Sequence, residues 1–327
     1  KVYFEGNFHG RSGRDHAGRE IPVGRRFQWA GRSWVVPSLY ACGRGLVIDF
    51  CMQVEPERFR AFMKRWDLLA GDEAHSRFTP EHQMEIERDN PFCLDLRPKA
   101  VLNGKELPSS HGCSVIYYPE DGGDKGEARR VVEHYGLDPA SGWLIWRASF
   151  PWAAKRRPAM ERLSVILRQE RVPMPGPHFR TAAAGDTFDF IHPPSGEKYT
   201  LAVQEVRREE LPESCFASAP GQEFPRHYLV LCYTIAPELS EKALTVTDCA
   251  GGDRPRRKPS GPAAPGNAAA IGIIGGADGP TALIFGGPGQ NNIRAACSAL
   301  YFEPAEDVEW RMIFYQTPAE EGTVELI

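Results

Sequence analysis

The stretch LVIDFCMQV, Leu46–Val54, decides how the first half of this chain is read. Leu46, Ile48, Phe50, Met52 and Val54 fall on one side of an extended backbone, and Val47, Asp49, Cys51 and Gln53 on the other. That alternation marks a strand with one buried face. Asp49 stands among apolar neighbours, so if its side of the strand is covered it needs a cation such as an arginine. A structural ion pair accounts for it more simply than catalysis.

Immediately downstream the period changes. From Pro56, the residues Phe59, Phe62, Met63, Trp66 and Leu69 recur at helical spacing, with proline at a first-turn position. A second helix is expected over Glu127–Tyr135, striped by Ala128, Val131, Val132 and Tyr135. Asp124 and Glu127 have capping-box spacing there, and Gly136 supplies the stop. Strands are expected at Val2–Glu5, Arg32–Pro37, Ser114–Tyr118, Trp143–Phe150 and Leu163–Arg168, with an Asn-Gly turn inside Val101–Leu107. This half reads as an antiparallel sheet with two helices.

The segment VPMPGPHF, Val172–Phe179, is dense in proline and is taken as the boundary between a domain at 1–175 and one at 176–327. Beyond it the pattern is β. Thr187–His192 and Tyr199–Val206 flank a turn, and His227–Ile235 is apolar on both faces, as suits a covered central strand. Ala243–Asp248, Cys297–Glu303 and Glu309–Tyr315 follow. The fold class expected is α+β, mainly β, with a C-terminal β-sandwich-like domain. Residues 250–267, rich in Gly, Pro and Arg, read as a flexible loop.

The least ordinary run is IGIIGGADGPTALIF, Ile271–Phe285. It resembles a signature of the β subunits of sodium-pumping, biotin-dependent decarboxylases. The resemblance implies a role in sodium binding for Asp278, with Gly275, Gly276, Gly279 and Thr281 around it and Pro280 between. It covers this run alone. A spanning helix needs ~20 mostly apolar residues, and even the window around this run holds Asp278 and Pro280, in a chain whose mean hydropathy is -0.40. No membrane span is expected. The residues themselves read as a β-hairpin, with Ala269–Ile274 and Ala282–Phe285 as arms around GGADGPT. A glycine-rich ion nest built on Asp278 is the alternative. Taken whole, the chain is similar to a family of soluble bacterial proteins, which implies no particular activity.

Composition bounds the rest. The chain has 327 residues, 42% hydrophobic and 25% charged, with a formal net charge of -4. These are the proportions of a globular protein, and the charge argues against a nucleic-acid surface. Arg254–Lys258 is the one dense basic run and reads as a solvated loop. Eight cysteines form no Cys-x-x-Cys and no zinc-finger spacing, so reduced thiols and a cytoplasmic home are expected. The first residue is Lys1, which leaves a removed leader or tag open.

Several constellations carry chemistry-bearing side chains at close spacing. Asp186 and His192 share a strand face but stand about 20 Å apart, with Asp189 on the other face. His111 and Cys113 are half of a nucleophile pair without an orienting group. Trp143 and Trp146 face opposite ways and make no stacking platform. Glu209-Glu210 and Glu320-Glu321 fall in polar stretches. No catalytic residue, metal or cofactor is therefore assigned. The expectation is a non-catalytic binding or interaction module, with a protein among its candidate partners. The alternatives are an enzyme or ligand site at the domain junction using Asp278 with a histidine such as His227, and a sodium-responsive site at GGADGPT. The candidate ligand residues are Asp278, Gly275, Gly276, Gly279 and Thr281.

Overall fold

A computed structural model describes residues 1–10, 15–68, 78–119, 126–153, 157–181, 183–216, 221–257, 293–316 and 319–327. The fold is α+β and mainly β, built from antiparallel sheets. Along the chain run β1 (Arg19–Trp29), β2 (Arg32–Ala41), β3 (Gly45–Val54), α1 (Pro56–Arg65) and α2 (Pro80–Asp89). Next come β4 (Lys99–Leu102), β5 (Lys105–Pro108), β6 (His111–Tyr117), α3 (Glu127–His134), β7 (Gly142–Pro151) and β8 (Leu163–Leu167). Then follow β9 (Val172–Arg180), β10 (Thr187–Ile191), β11 (Lys198–Glu210), β12 (Gln222–Glu223) and β13 (His227–Ala236). The last are β14 (Leu244–Asp248), β15 (Arg256–Arg257), β16 (Arg294–Cys297), β17 (Glu309–Gln316) and β18 (Gly322–Glu325).

Two compact units result. The first joins Lys1–Val172 to Pro318–Ile327, and the second is Pro173–Thr317. The division expected at 175/176 lies three residues beyond this one, and the sequence reading placed the last ten residues with the second half. Those residues return because β18 pairs with β8, Val324 opposite Val165.

In the first unit β3 is the middle strand of a five-stranded sheet ordered β1-β2-β3-β7-β6. Its Leu46, Ile48, Phe50, Met52 and Val54 face a second sheet, β18-β8-β4-β5, and share a core with Ala100, Leu102, Leu163, Val165 and Leu167. Burying side chains of this size stabilises by ~1.5–3 kcal/mol each. The sequence gives β3 one covered face, and the structure covers both. Cys51 packs with Val132 and Leu137 around α3, while Val47 packs with Val2, Phe4 and Tyr40. At Gly45 the chains come so close that a Cβ would lie 2.2 Å from the Phe4 ring and 2.3 Å from the Phe150 carbonyl.

Asp49 is fully buried on this second face. Its register partner on β7 is Arg147. The guanidinium donates from Nε to Oδ1 at 2.8 Å and from an Nη to Oδ2 at 2.7 Å, and the Tyr135 hydroxyl donates to Oδ2 at 2.6 Å. Tyr40 shares a hydrogen bond with Tyr135 at 2.7 Å, and Phe8 lies 4.2 Å beneath the guanidinium carbon. Burial opposes the charge on Arg147, but the hydrogen bonds and charge of Asp49 prevail and raise its pKa. The Tyr135 phenol is pushed up first by burial and then by the Asp49 charge, so it remains a donor.

Local signals account for α1, where Pro56 opens the helix and Phe59 packs on Phe92 and Tyr118. The expected α3 forms from Gly126, without a side-chain cap, and ends where Gly136 takes φ +59. Asn103 and Gly104, both at positive φ, close the β4–β5 hairpin. Three expectations are corrected. Val2–Glu5 forms no strand, for the chain turns at Phe4 and Glu5, with Glu5 at φ 55 and the Gly6 N–H donating to the Tyr3 carbonyl. Val172–Phe179 is no bare linker but most of β9, an edge strand beside β17, where prolines withdraw no needed donor. Cys297–Glu303 is a strand only at its first residue, since the Ser298 hydroxyl takes the Leu229 N–H and the chain turns away.

The second unit sets the sheet β10-β11-β13-β16 and the sheet β14-β17-β9 around one core. Leu201, Val203, Leu231 and Tyr233 come from one, and Leu244, Trp310, Met312 and Phe314 from the other. This is the sandwich-like arrangement expected. Among the described residues no helix is long and apolar enough to cross a membrane.

Replacing Arg147 by Met should strand a buried carboxylate and lower stability by about 3–5 kcal/mol. Pairing that change with Asp49→Leu should recover most of the loss, as read by urea denaturation midpoints. A single variant as stable as the parent would show that the pair does not organise this face.

Candidate functional site

Two surfaces bring chemistry-bearing side chains together, one in each unit. In the first unit a groove of about 350 Å³ opens on the second face of the five-stranded sheet, near the lower end of ligand-pocket sizes. Register explains its lining. Gln28 pairs with Ser33, and Gln53 with Trp143, so these residues come from β1, β2, β3 and β7. Arg26 pairs with Val35 in the neighbouring row. Phe27 and Trp34, their rings stacked 4° from parallel, alternate with these residues and pack on the opposite face, toward the core. Val35 and Trp143 also belong to the apolar cluster under α3, which makes the groove's floor rigid. Gln28 donates to Ser33 Oγ at 2.8 Å, and Gln53 to Ser141 Oγ at 2.8 Å. The lining holds no carboxylate, histidine or cysteine.

In the second unit three adjacent strands present one residue each to the outer face. His178 on β9, Glu309 on β17 and Cys249 just after β14 have donor atoms within 4.8 Å of one another. His178 Nδ1 lies 3.1 Å from Glu309 Oε1 and 3.8 Å from Cys249 Sγ. Arg180 donates to the other Glu309 oxygen at 3.0 Å and pairs with Asp307. The His178 hydrogen bond, then that of Arg180, holds the Glu309 carboxyl below its usual range.

The remaining sequence candidates separate. Asp278, Gly275, Gly276, Gly279 and Thr281 lie outside the described residues, as do both expected arms of the hairpin. His227 opens β13 and bridges to Tyr301. Asp186 accepts from Thr181, and Asp189 pairs with Lys198 at 2.7 Å. Cys113 donates to the Gly6 carbonyl at 3.8 Å, and burial raises its thiol pKa, which suits no nucleophile. Glu209, Glu210 and Glu321 pair with Arg207, Arg226 and Arg168. The described part of the basic run, Arg254 to Arg257, is exposed as expected, with Arg256 paired to Glu223 at 2.8 Å over the Phe302 ring. The rest of the 250–267 loop, from 258 on, lies outside the described residues. No disulfide forms among the described cysteines.

His192 is structural. It is buried against the Tyr199 and Phe314 rings, bonded through Nδ1 to Ser195 at 2.9 Å, with Nε2 lacking a partner among the described residues. Burial lowers its pKa from the ordinary 6.5. The unfolded chain therefore takes up this proton first as pH falls, so stability drops through about pH 6.5 and levels off below the folded-state pKa. His192→Gln should flatten that limb in pH-dependent denaturation, and an unaltered slope would count against it.

Comparison with protein families, with curated proteins and with solved structures finds no match for this chain.

Proposed function

We propose that the chain is a non-catalytic binding module whose first unit takes a small hydroxylated carboxylate in the groove beside α3. The observation that carries this reading is the lining itself. Arg26 supplies a cation, and no anion lines the groove to neutralise it. Gln28 and Gln53 each give an amide N–H to a serine, which orients their amide oxygens as acceptors for ligand hydroxyls. Val35 and Trp143, on the same face as Gln53, add apolar surface for a carbon skeleton. A cation, two oriented acceptors and a ring match a sugar acid better than a neutral sugar or a base. Without a histidine, cysteine or carboxylate in the lining, the groove offers binding and no group to move a proton.

Gluconate and glucuronate serve as probes, with glucose as the uncharged control. A ligand present at 100 times its Kd stabilises by about 2.7 kcal/mol, which should raise the melting temperature by several degrees. Both acids should produce this shift, and Arg26→Ala and Gln53→Leu should each abolish it. No shift with either acid, or one that survives both substitutions, would end this reading.

A further inference from the structure

We propose that His178, Cys249 and Glu309 form a binding site for a borderline divalent metal ion of the zinc type. The three come from neighbouring strands, and sheet geometry alone brings them together. Glu309 opens β17, whose next residue, Trp310, pairs with Asp248 on β14, so Cys249 continues beside Glu309 and its N–H donates to the Glu309 carbonyl at 2.8 Å. β9 flanks β17 on its other side and contributes His178. Trp310 and Phe179 point into the core, which sends Glu309 and His178 outward by alternation.

The spacing fits tetrahedral coordination. Zinc bond lengths of ~2.0–2.1 Å to nitrogen and oxygen and ~2.3 Å to sulfur put nitrogen and oxygen about 3.4 Å apart, and sulfur and nitrogen about 3.6 Å apart. The separations from His178 are 3.1 Å to Glu309 and 3.8 Å to Cys249, and the Cys249 sulfur and Glu309 carboxylate lie within 4.8 Å, so side-chain rotations can close the set around one ion. Thiolate, imidazole and carboxylate together favour zinc-like ions over magnesium or calcium, which prefer all-oxygen sets. Arg180 holds the second Glu309 oxygen and is itself held by Asp307, so the carboxylate presents its remaining oxygen to the ion. Binding replaces the His178–Glu309 hydrogen bond with two metal bonds, and the Cys249 thiol loses its proton to solvent. Three protein ligands leave a fourth position for water.

The test uses the full chain, reduced and stripped with chelator, titrated with cobalt(II). A near-ultraviolet thiolate-to-cobalt band should grow to saturation at one equivalent and disappear on adding zinc(II). Cys249→Ser should lack the band, and His178→Ala should weaken cobalt binding more than tenfold with an unchanged circular dichroism spectrum. Arg180→Gln, which removes only the support of the carboxylate, should weaken it about tenfold. Absence of the band in the parent would overturn the site. So would a band of full strength in Cys249→Ser, since another cysteine would then be its source.

Discussion

The first unit depends on a charge that has no access to water. Asp49 lies in the middle of a strand covered on both sides, so its charge must be met by partners within the protein. Arg147 stands directly across the ladder and meets both carboxylate oxygens, and Tyr135 fills a further lone pair. Replacing hydration in this way demands excellent geometry, because each desolvated ion forfeits several kcal/mol. The requirement reaches beyond the pair. Tyr135 follows α3, Tyr40 lies on β2 and Phe8 belongs to the N-terminal segment, so one carboxylate fixes the placement of three otherwise separate pieces.

The opposite face of β3 works by a different rule. There Leu46, Ile48, Phe50 and Met52 meet the second sheet through apolar contact alone, which rewards area and is indifferent to direction. One strand therefore carries a non-directional core on one side and a directional network on the other. The first supplies most of the stability, and the second specifies register. A slip of one residue would bring Asp49 into the apolar layer, where no cation waits.

What the sequence made legible follows the range of the signal. β3, α1, α3 and the hairpin at Asn103-Gly104 are written in runs of ten residues or fewer, and the structure has them where the periodicity puts them. The helix α2 was not legible because PEHQMEIERD has no apolar stripe, and the structure buries none of its residues. Proline misled at β9, since an edge strand spends few N–H donors and can hold several prolines. Both candidate sites escaped for a deeper reason. Gln28, Gln53 and Trp143 belong to three strands, and His178, Cys249 and Glu309 are far apart along the chain. No spacing rule joins residues that only a sheet's register brings together. Asp49 is the exception, because an acid inside an apolar alternation announces that it needs a partner, though not which one.

The return of Pro318–Ile327 to the first unit makes the second unit an insertion between β8 and β18. During synthesis β8 must therefore wait, one edge bare, until everything from Pro173 to Thr317 has left the ribosome. The apolar side chains Leu163, Val165 and Leu167 sit on that waiting strand. A chaperone that masks this edge would hold the first unit until β18 emerges, by which time Pro173–Thr317 have already been made.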